Sequence, residues 1–245
     1  MQTDLYDLPI STQSDAAATA YRLGQHRLLG AEARIVEAFE DCIAHDPGFA
    51  LGHVGLSRAR QYANDMAGAR AATATARDLA QGVTDREAGH IHAMGLLVDG
   101  KGIEAYAAIR AHVAEHPRDA VVAQTCTSVF GLIGFSGQPG REAEMLAFNA
   151  SLLPHYGEDW WCLSQYAFAL CETGQLDKAT GFIDRSLARM CARMSSTKPA
   201  RPKPGAVTWP IGWGTMTVTG SCMGTCPGMS HSGRWSRVMK PGCGR

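Results

Sequence analysis

The sequence predicts an all-α fold, antiparallel helix pairs stacked side by side, followed by an irregular C-terminal tail. Three observations carry this. Apolar residues recur at helical spacing along residues 14–190, with no strand-like alternation beyond short ambiguous runs. Helix-ending punctuation recurs over long intervals: His45-Asp46-Pro47-Gly48 and His116-Pro117-Arg118-Asp119 place their prolines 70 residues apart, close to two periods of about 34. At residue 191 the composition changes abruptly. The 245 residues suffice for one core or a short repeat array.

Residues 1–13 are an N-terminal extension (MQTDLYDLPISTQ). They hold no basic segment followed by an apolar core, so they do not form a secretory signal. Residues 14–190 divide into about five helix pairs. The first, 16–49, keeps Gly30, Phe39 and Pro47 but has Ile35 where a small residue is expected. The second, 50–83, has Ser57, Ala69 and Thr73 at the equivalent places. In the third, 86–119, Ala93 sits where two helices cross, Gly100 ends the first helix, Ala105 and Ile109 follow on the second, and Pro117 stops it. The stretch 120–157 is a longer variant: FGLIGF (Phe130–Phe135) ends a first helix, SGQPG turns, and Arg141–Leu153 forms the second. The last, 160–190, repeats the spacing with Ala167, Gly174, Ala179 and Ile183. Small residues at the crossings let antiparallel helices approach. The large apolar residue one turn later fills the gap to the next pair. A period of about 34 is the tetratricopeptide length, and each such pair buries its faces only against its neighbours.

The body and the tail differ in charge. The chain carries 23 Lys+Arg and 23 Asp+Glu, but residues 191–245 hold eight of the basic residues and none of the acidic ones. The body is therefore net −8, which argues against nucleic-acid binding by charge alone. No apolar run approaches a membrane span. Cys42, Cys126, Cys162 and Cys171 lie singly in helical patterns, as buried free thiols of a reducing, cytoplasmic setting.

No reaction is spelled in the body: no catalytic residue, cofactor site or metal ligand set is assigned. His90 and His92 are two apart, so on a helix they face different ways, and a metal pair needs a spacing of four. His53, His112, His116 and His155 are isolated in the sequence. HPRD reads as a helix end, with Asp119 capping the next helix, and PHYGEDWW does the same with Gly157 and Asp159. GLIGFSG follows a helical pattern rather than a strand, so it reads as a loop rather than a phosphate cradle. Trp160, Trp161, Tyr166 and Phe168 read as core ahead of a partner groove.

The tail, 191–245, is expected to be disordered. It lacks Leu, Phe, Tyr, Asn, Gln, Asp and Glu, and holds nine Gly, six Pro, five Met and three Trp (Trp209, Trp213, Trp235). Helices are not made from that composition, and disordered segments seldom carry so much Trp and Met. An out-of-frame translation starting near codon 190 accounts for it. When each codon begins at the third base of the present one, Met216-Thr217 forces Asp, Met223-Gly224 forces Gly, and Met239-Lys240 forces Glu. The decoded strings, such as DYDRDGLLHGHLSWH, are helix-like again. The other frame meets stops at Met216-Thr217 and Met239-Lys240. Cys222 and Cys226 offer half of a zinc spacing, with only His231 and Cys243 nearby and not paired, so metal is not assigned. Eight basic charges over 55 residues are too sparse to assign nucleic-acid binding.

The run from Ala105 to Ala179, with HPRD at 116–119, LPHYGEDWW at 153–161 and YAFALCETGQLDKA at 166–179, resembles the tetratricopeptide repeat protein 38-like family. The resemblance implies a tetratricopeptide-like solenoid and little chemistry. It also implies a further repeat after Leu187, where the pattern here stops. The function expected is a non-enzymatic, cytoplasmic protein-interaction scaffold, holding a protein or peptide in its concave groove. It binds no nucleic acid or membrane in this reading. An exposed face near Phe182, Ile183 and Leu187 would favour self-association. The alternative is a fragment of a helical-repeat enzyme or small-molecule-binding regulator whose His-rich helices are lost with the frame.

Overall fold

The computed structural model describes residues 2–196, 207–211 and 214–218. They fall into two compact units, Met1–Thr197 and Lys198–Arg245. Unit one holds ten α-helices among the described residues: α1 (Asp15–Leu29), α2 (Ile35–His45), α3 (Ala50–Tyr62), α4 (Met66–Asp78), α5 (Asp85–Val98), α6 (Gly102–Glu115), α7 (Ala120–Ala123), α8 (Arg141–Tyr156), α9 (Trp160–Glu172) and α10 (Leu176–Ser196). Helices α1/α2, α3/α4, α5/α6 and α9/α10 pack as pairs, and α2/α3, α4/α5 and α8/α9 join one pair to the next. The architecture is all-α, antiparallel helix pairs stacked side by side. Among the described residues no helix is long and apolar enough to cross a membrane.

Local chemistry sets the helix starts. Ser14 accepts from the backbone of Ala17, and Asp65 from Gly68. Thr84 and Glu87 form a reciprocal capping box on α5. Asp159 accepts from Trp161 and Cys162 at the start of α9, as its sequence position predicts. Gly100 and Gly174 take positive φ (77° and 76°) in the turns inside their pairs, where a side chain would be strained.

The crossings lie where the spacing predicts. Ala93, Ala105, Ala167 and Ala179 are buried, and Ile109 fills the gap beyond the third pair. In the second pair Ser57 and Thr73 replace apolar residues, but their hydroxyls bond each other at 2.7 Å and Ser57 also donates to Ala69 O. Phe39 takes the core of the first pair because Gly24 and Gly55 leave it room; a Cβ at Gly55 would lie 2.2 Å from its ring.

Three expectations are corrected. The first helix of the fourth pair is only the four residues of α7; short 3-10 turns at Gln124–Cys126 and Gly134–Ser136 replace the rest. The cause is local. Thr125 and Thr127 hydroxyls take the carbonyls of Val122 and Gln124, competing with helix continuation. Leu132 N then folds back onto Thr125 O. Cys171 is exposed, unlike the buried Cys42, Cys126 and Cys162, because it lies on the outer side of α9. Finally, α10 runs through the expected break at residue 191 to Ser196. Farther on, β3 (Val207–Ile211) and β4 (Gly214–Val218) pair antiparallel in the second unit, where Val, Thr and Ile favour extended backbone. The rest of the tail, including the Cys222/Cys226 spacing and the disorder expected there, lies outside the described residues.

Candidate functional site

Three arrangements in unit one bring polar or aromatic groups together. The first is a buried hub on Asp119. Its Oδ2 accepts from Arg86 Nη1 at 2.9 Å and lies 3.0 Å from His90 Nδ1 and 3.0 Å from His112 Nε2. Arg86 and His90 are one turn apart on α5, and His112 comes from α6. Gly89 leaves room for that approach, since a Cβ there would be 2.7 Å from His112 Nδ1. Asp119 is fully buried. Burial pushes its carboxyl up, but His90, His112 and Arg86 outweigh that and hold it well below the ordinary carboxylate value.

Asp119 does stand at the N-cap position of α7, as predicted, yet its side chain caps nothing there. It ties three helices together instead. Sequence reasoning left His112 isolated. The available signal was the four-residue step from Arg86 to His90, which puts a cation and an imidazole on one face. His92, two residues on, points outward as expected. Neither hub imidazole has a hydroxyl or thiol among its hydrogen-bond partners in the described residues, so no nucleophile–base pair forms here. Among the described residues no group of three or more His, Cys, Asp or Glu is placed to hold a metal ion.

The second arrangement is made by the N-terminal extension, which is threaded into the array. Strands β1 (Gln2–Thr3) and β2 (Pro9–Ile10) pair antiparallel. Between them Asp4 Oδ1 accepts from Tyr6 N (2.8 Å) and Leu8 N (3.0 Å), closing a tight loop. Burial raises the Asp4 carboxyl, against those two hydrogen bonds. The loop is held by α1 and α5, the first helices of the first and third pairs. Gln25 of α1 accepts from Leu5 N at 2.9 Å. Arg86 donates to Pro9 O at 2.8 Å, and Glu87 accepts from Ser11 N at 2.8 Å, both on α5. Tyr6 reaches α8 and α9, its ring edge-on to Tyr156 (5.1 Å) and tilted against Trp161 (6.4 Å). Residues 3–12 thus lie against α1 and α5 and reach α8 and α9. Trp160 and Trp161 are core, as predicted.

The third arrangement is an open cleft of about 920 Å³ beside the broken fourth pair. Arg58 of α3, the α5–α6 turn with Ile103 at the start of α6, and the bend holding Phe130 and Phe135 line it. Phe130 and Phe135 meet edge-on at 6.2 Å, and Phe135 is 73% exposed. GLIGFSG is therefore a loop, as the sequence suggests, and one that presents aromatic side chains.

The stacked helix pairs define an all-α protein of helical-repeat architecture. No protein-family model matches the chain, and no curated protein matches it. Among solved structures it is similar to one described as "MamA RS-1 ArsTM double mutant", at 14% identity and a TM-score of 0.39, covering 75% of this chain and 99% of that one. The fold assignment rests on the helix pairs themselves.

Proposed function

We propose that the protein is a non-enzymatic, cytoplasmic interaction scaffold, akin to the tetratricopeptide repeat protein 38-like proteins, that takes a basic amphipathic helix of a partner on the outer face of α10. One observation carries the reading. Leu176, Ile183 and Leu187 are exposed on α10 at spacings of seven and four, which places them on one stripe. Phe182 is turned aside, packed edge-on against Tyr166 at 4.8 Å. Asp177 and Asp184 flank the stripe, are exposed, and enter no ion pair among the described residues. The body's net charge of −8 adds to that sign. An apolar stripe with an acidic flank is complementary to a helix bearing Lys or Arg beside its apolar face.

The test titrates two labelled model helices against the full chain by fluorescence anisotropy, one of Leu and Lys, the other of Leu and Glu in the same pattern. The basic helix should bind and the acidic one should not, and Asp184→Lys with Leu187→Ser should weaken binding about tenfold or more. Equal binding of both helices, or indifference to the double variant, overturns the reading. So does a dimer in light scattering that Leu187→Ser abolishes, because the face then belongs to a second copy.

The tail's composition supports an out-of-frame origin, in which the His-rich helices of an enzyme or ligand-binding regulator would have been lost. Sequencing the coding DNA of a neighbouring strain across codons 185–245 tests it. A single missing or extra base near codon 190 supports that origin, and an identical frame overturns it.

A further inference from the structure

The cleft beside the broken fourth pair holds an arginine without a counter-ion. Arg58 Nη1 donates to the Gln61 side-chain oxygen at 3.1 Å and Nη2 to that of Gln124 at 3.4 Å, both neutral amides. The guanidinium also lies over the Tyr62 ring, 4.8 Å from its centroid. Its Nε is enclosed and meets no acceptor among the described residues. No carboxylate among the described residues pairs with it, although nine other arginines form such pairs. Burial lowers its pKa, partly offset by Tyr62, as expected for a cation lacking compensation.

The other charges of the cleft are accounted for. Glu144 accepts from the Tyr106 hydroxyl and lies 3.8 Å from Arg110. Lys101 is the N-cap residue of α6, and Glu104 lies in that helix's first turn, so the two bring opposite charges to the same end of the cleft. Arg58 is the enclosed cation of the cleft, and Ile103, Phe130, Leu132 and Phe135 supply apolar wall beside it. A volume of about 920 Å³ with mostly apolar walls and a few placed polar and charged groups matches the make-up of small-molecule sites. Ile103 (87% exposed) and Phe135 gain cover only if something lies between them.

We propose that this cleft binds a small amphiphile carrying one carboxylate on an apolar body. The carboxylate sits against the planar fork of Arg58, which suits bidentate pairing. The apolar body lies between Ile103 and the Phe130–Phe135 pair. The site is separate from the α10 stripe and stands or falls independently of it.

Isothermal titration of the full chain with decanoate, and with decanamide as its neutral counterpart, tests the proposal. Decanoate should saturate one site and bind roughly ten- to a hundredfold tighter than decanamide, the range expected for a charged hydrogen-bonded group. Arg58→Met should remove that difference while leaving decanamide unchanged. Phe135→Ser, at an exposed position that the fold tolerates, should weaken both ligands. Equal affinity of the two ligands in the unaltered protein overturns the proposal without any variant. Non-saturable uptake overturns it too, as does decanoate binding that survives Arg58→Met.

Discussion

The hydroxyl of Tyr6 donates to Oδ1 of Asp159 at 3.3 Å, across 153 residues of chain. Asp159 at the same time caps α9 through the backbone of Trp161 and Cys162. The N-terminal extension is thereby bound to the last helix pair of the array, with α1 and α5 held on the way.

That relationship predicts that residue 6 stabilises the whole body. Tyr6→Phe should cost about 1 kcal/mol, the value of one hydrogen bond. Tyr6→Ala should cost about 3 kcal/mol, because a buried ring packed on Tyr156 and Trp161 is lost. Urea unfolding checks both: the midpoint should fall in that order with one cooperative transition retained. An unchanged midpoint for Tyr6→Ala would show that the extension is not part of the cooperative unit.

The Asp119 hub predicts acid sensitivity. Asp119 has its folded pKa well below the ordinary carboxylate value, so the stability it contributes is fully present above that value and drains away as pH falls below it. Asp4 acts in the opposite direction: its raised carboxyl favours the folded state at low pH and loses that contribution as pH rises through the folded value. Loss of the Asp119 contribution should make stability decline as pH falls below about 4. Asp119→Asn should cost about 3 kcal/mol at neutral pH, leaving Arg86 buried without its partner. It should also flatten the acid limb in thermal melts recorded from pH 6 to pH 3.

Thr84 closes the capping box of α5, the helix that carries Arg86 and His90. Thr84→Ala should cost about 1 kcal/mol and Thr84→Ser only a fraction of that. Chemical denaturation of the two variants distinguishes a capping role from a packing one, since Ser keeps the hydroxyl and loses the methyl.

The thiols should divide by reactivity. Burial raises Cys42, Cys126 and Cys162 to about 12, whereas Cys171 is exposed. Brief alkylation of the native protein at pH 8, followed by peptide mass mapping, should modify Cys171 and spare those three. In urea all four should react. Early labelling of Cys162 would mean that α9 opens more readily than its packing implies.

Much of this was legible before the structure. The alanines at the crossings, the glycines ending first helices and the Asp159 cap are local signals, and each residue type states its own constraint. The hub was not legible as a hub. Asp119, His112 and Arg86 each satisfy an ordinary helix pattern, and only the close approach that Gly89 permits brings them to one oxygen atom. The broken α7 was missed for a related reason. Its apolar residues continue a helical spacing, while the threonine hydroxyls that end it act through bonds that periodicity does not register.

By itself, then, the sequence determined the all-α pairing, the pair boundaries and the change of composition after residue 190, because periodicity, helix caps and residue content are properties of the chain read locally. Tertiary structure alone decided that residues 3–12 pack against α1, α5, α8 and α9, that three helices share Asp119, and that Arg58 is left without a carboxylate partner among the described residues. Those are outcomes of long-range packing. A charge is paired or unpaired only according to which distant side chains the fold delivers to it.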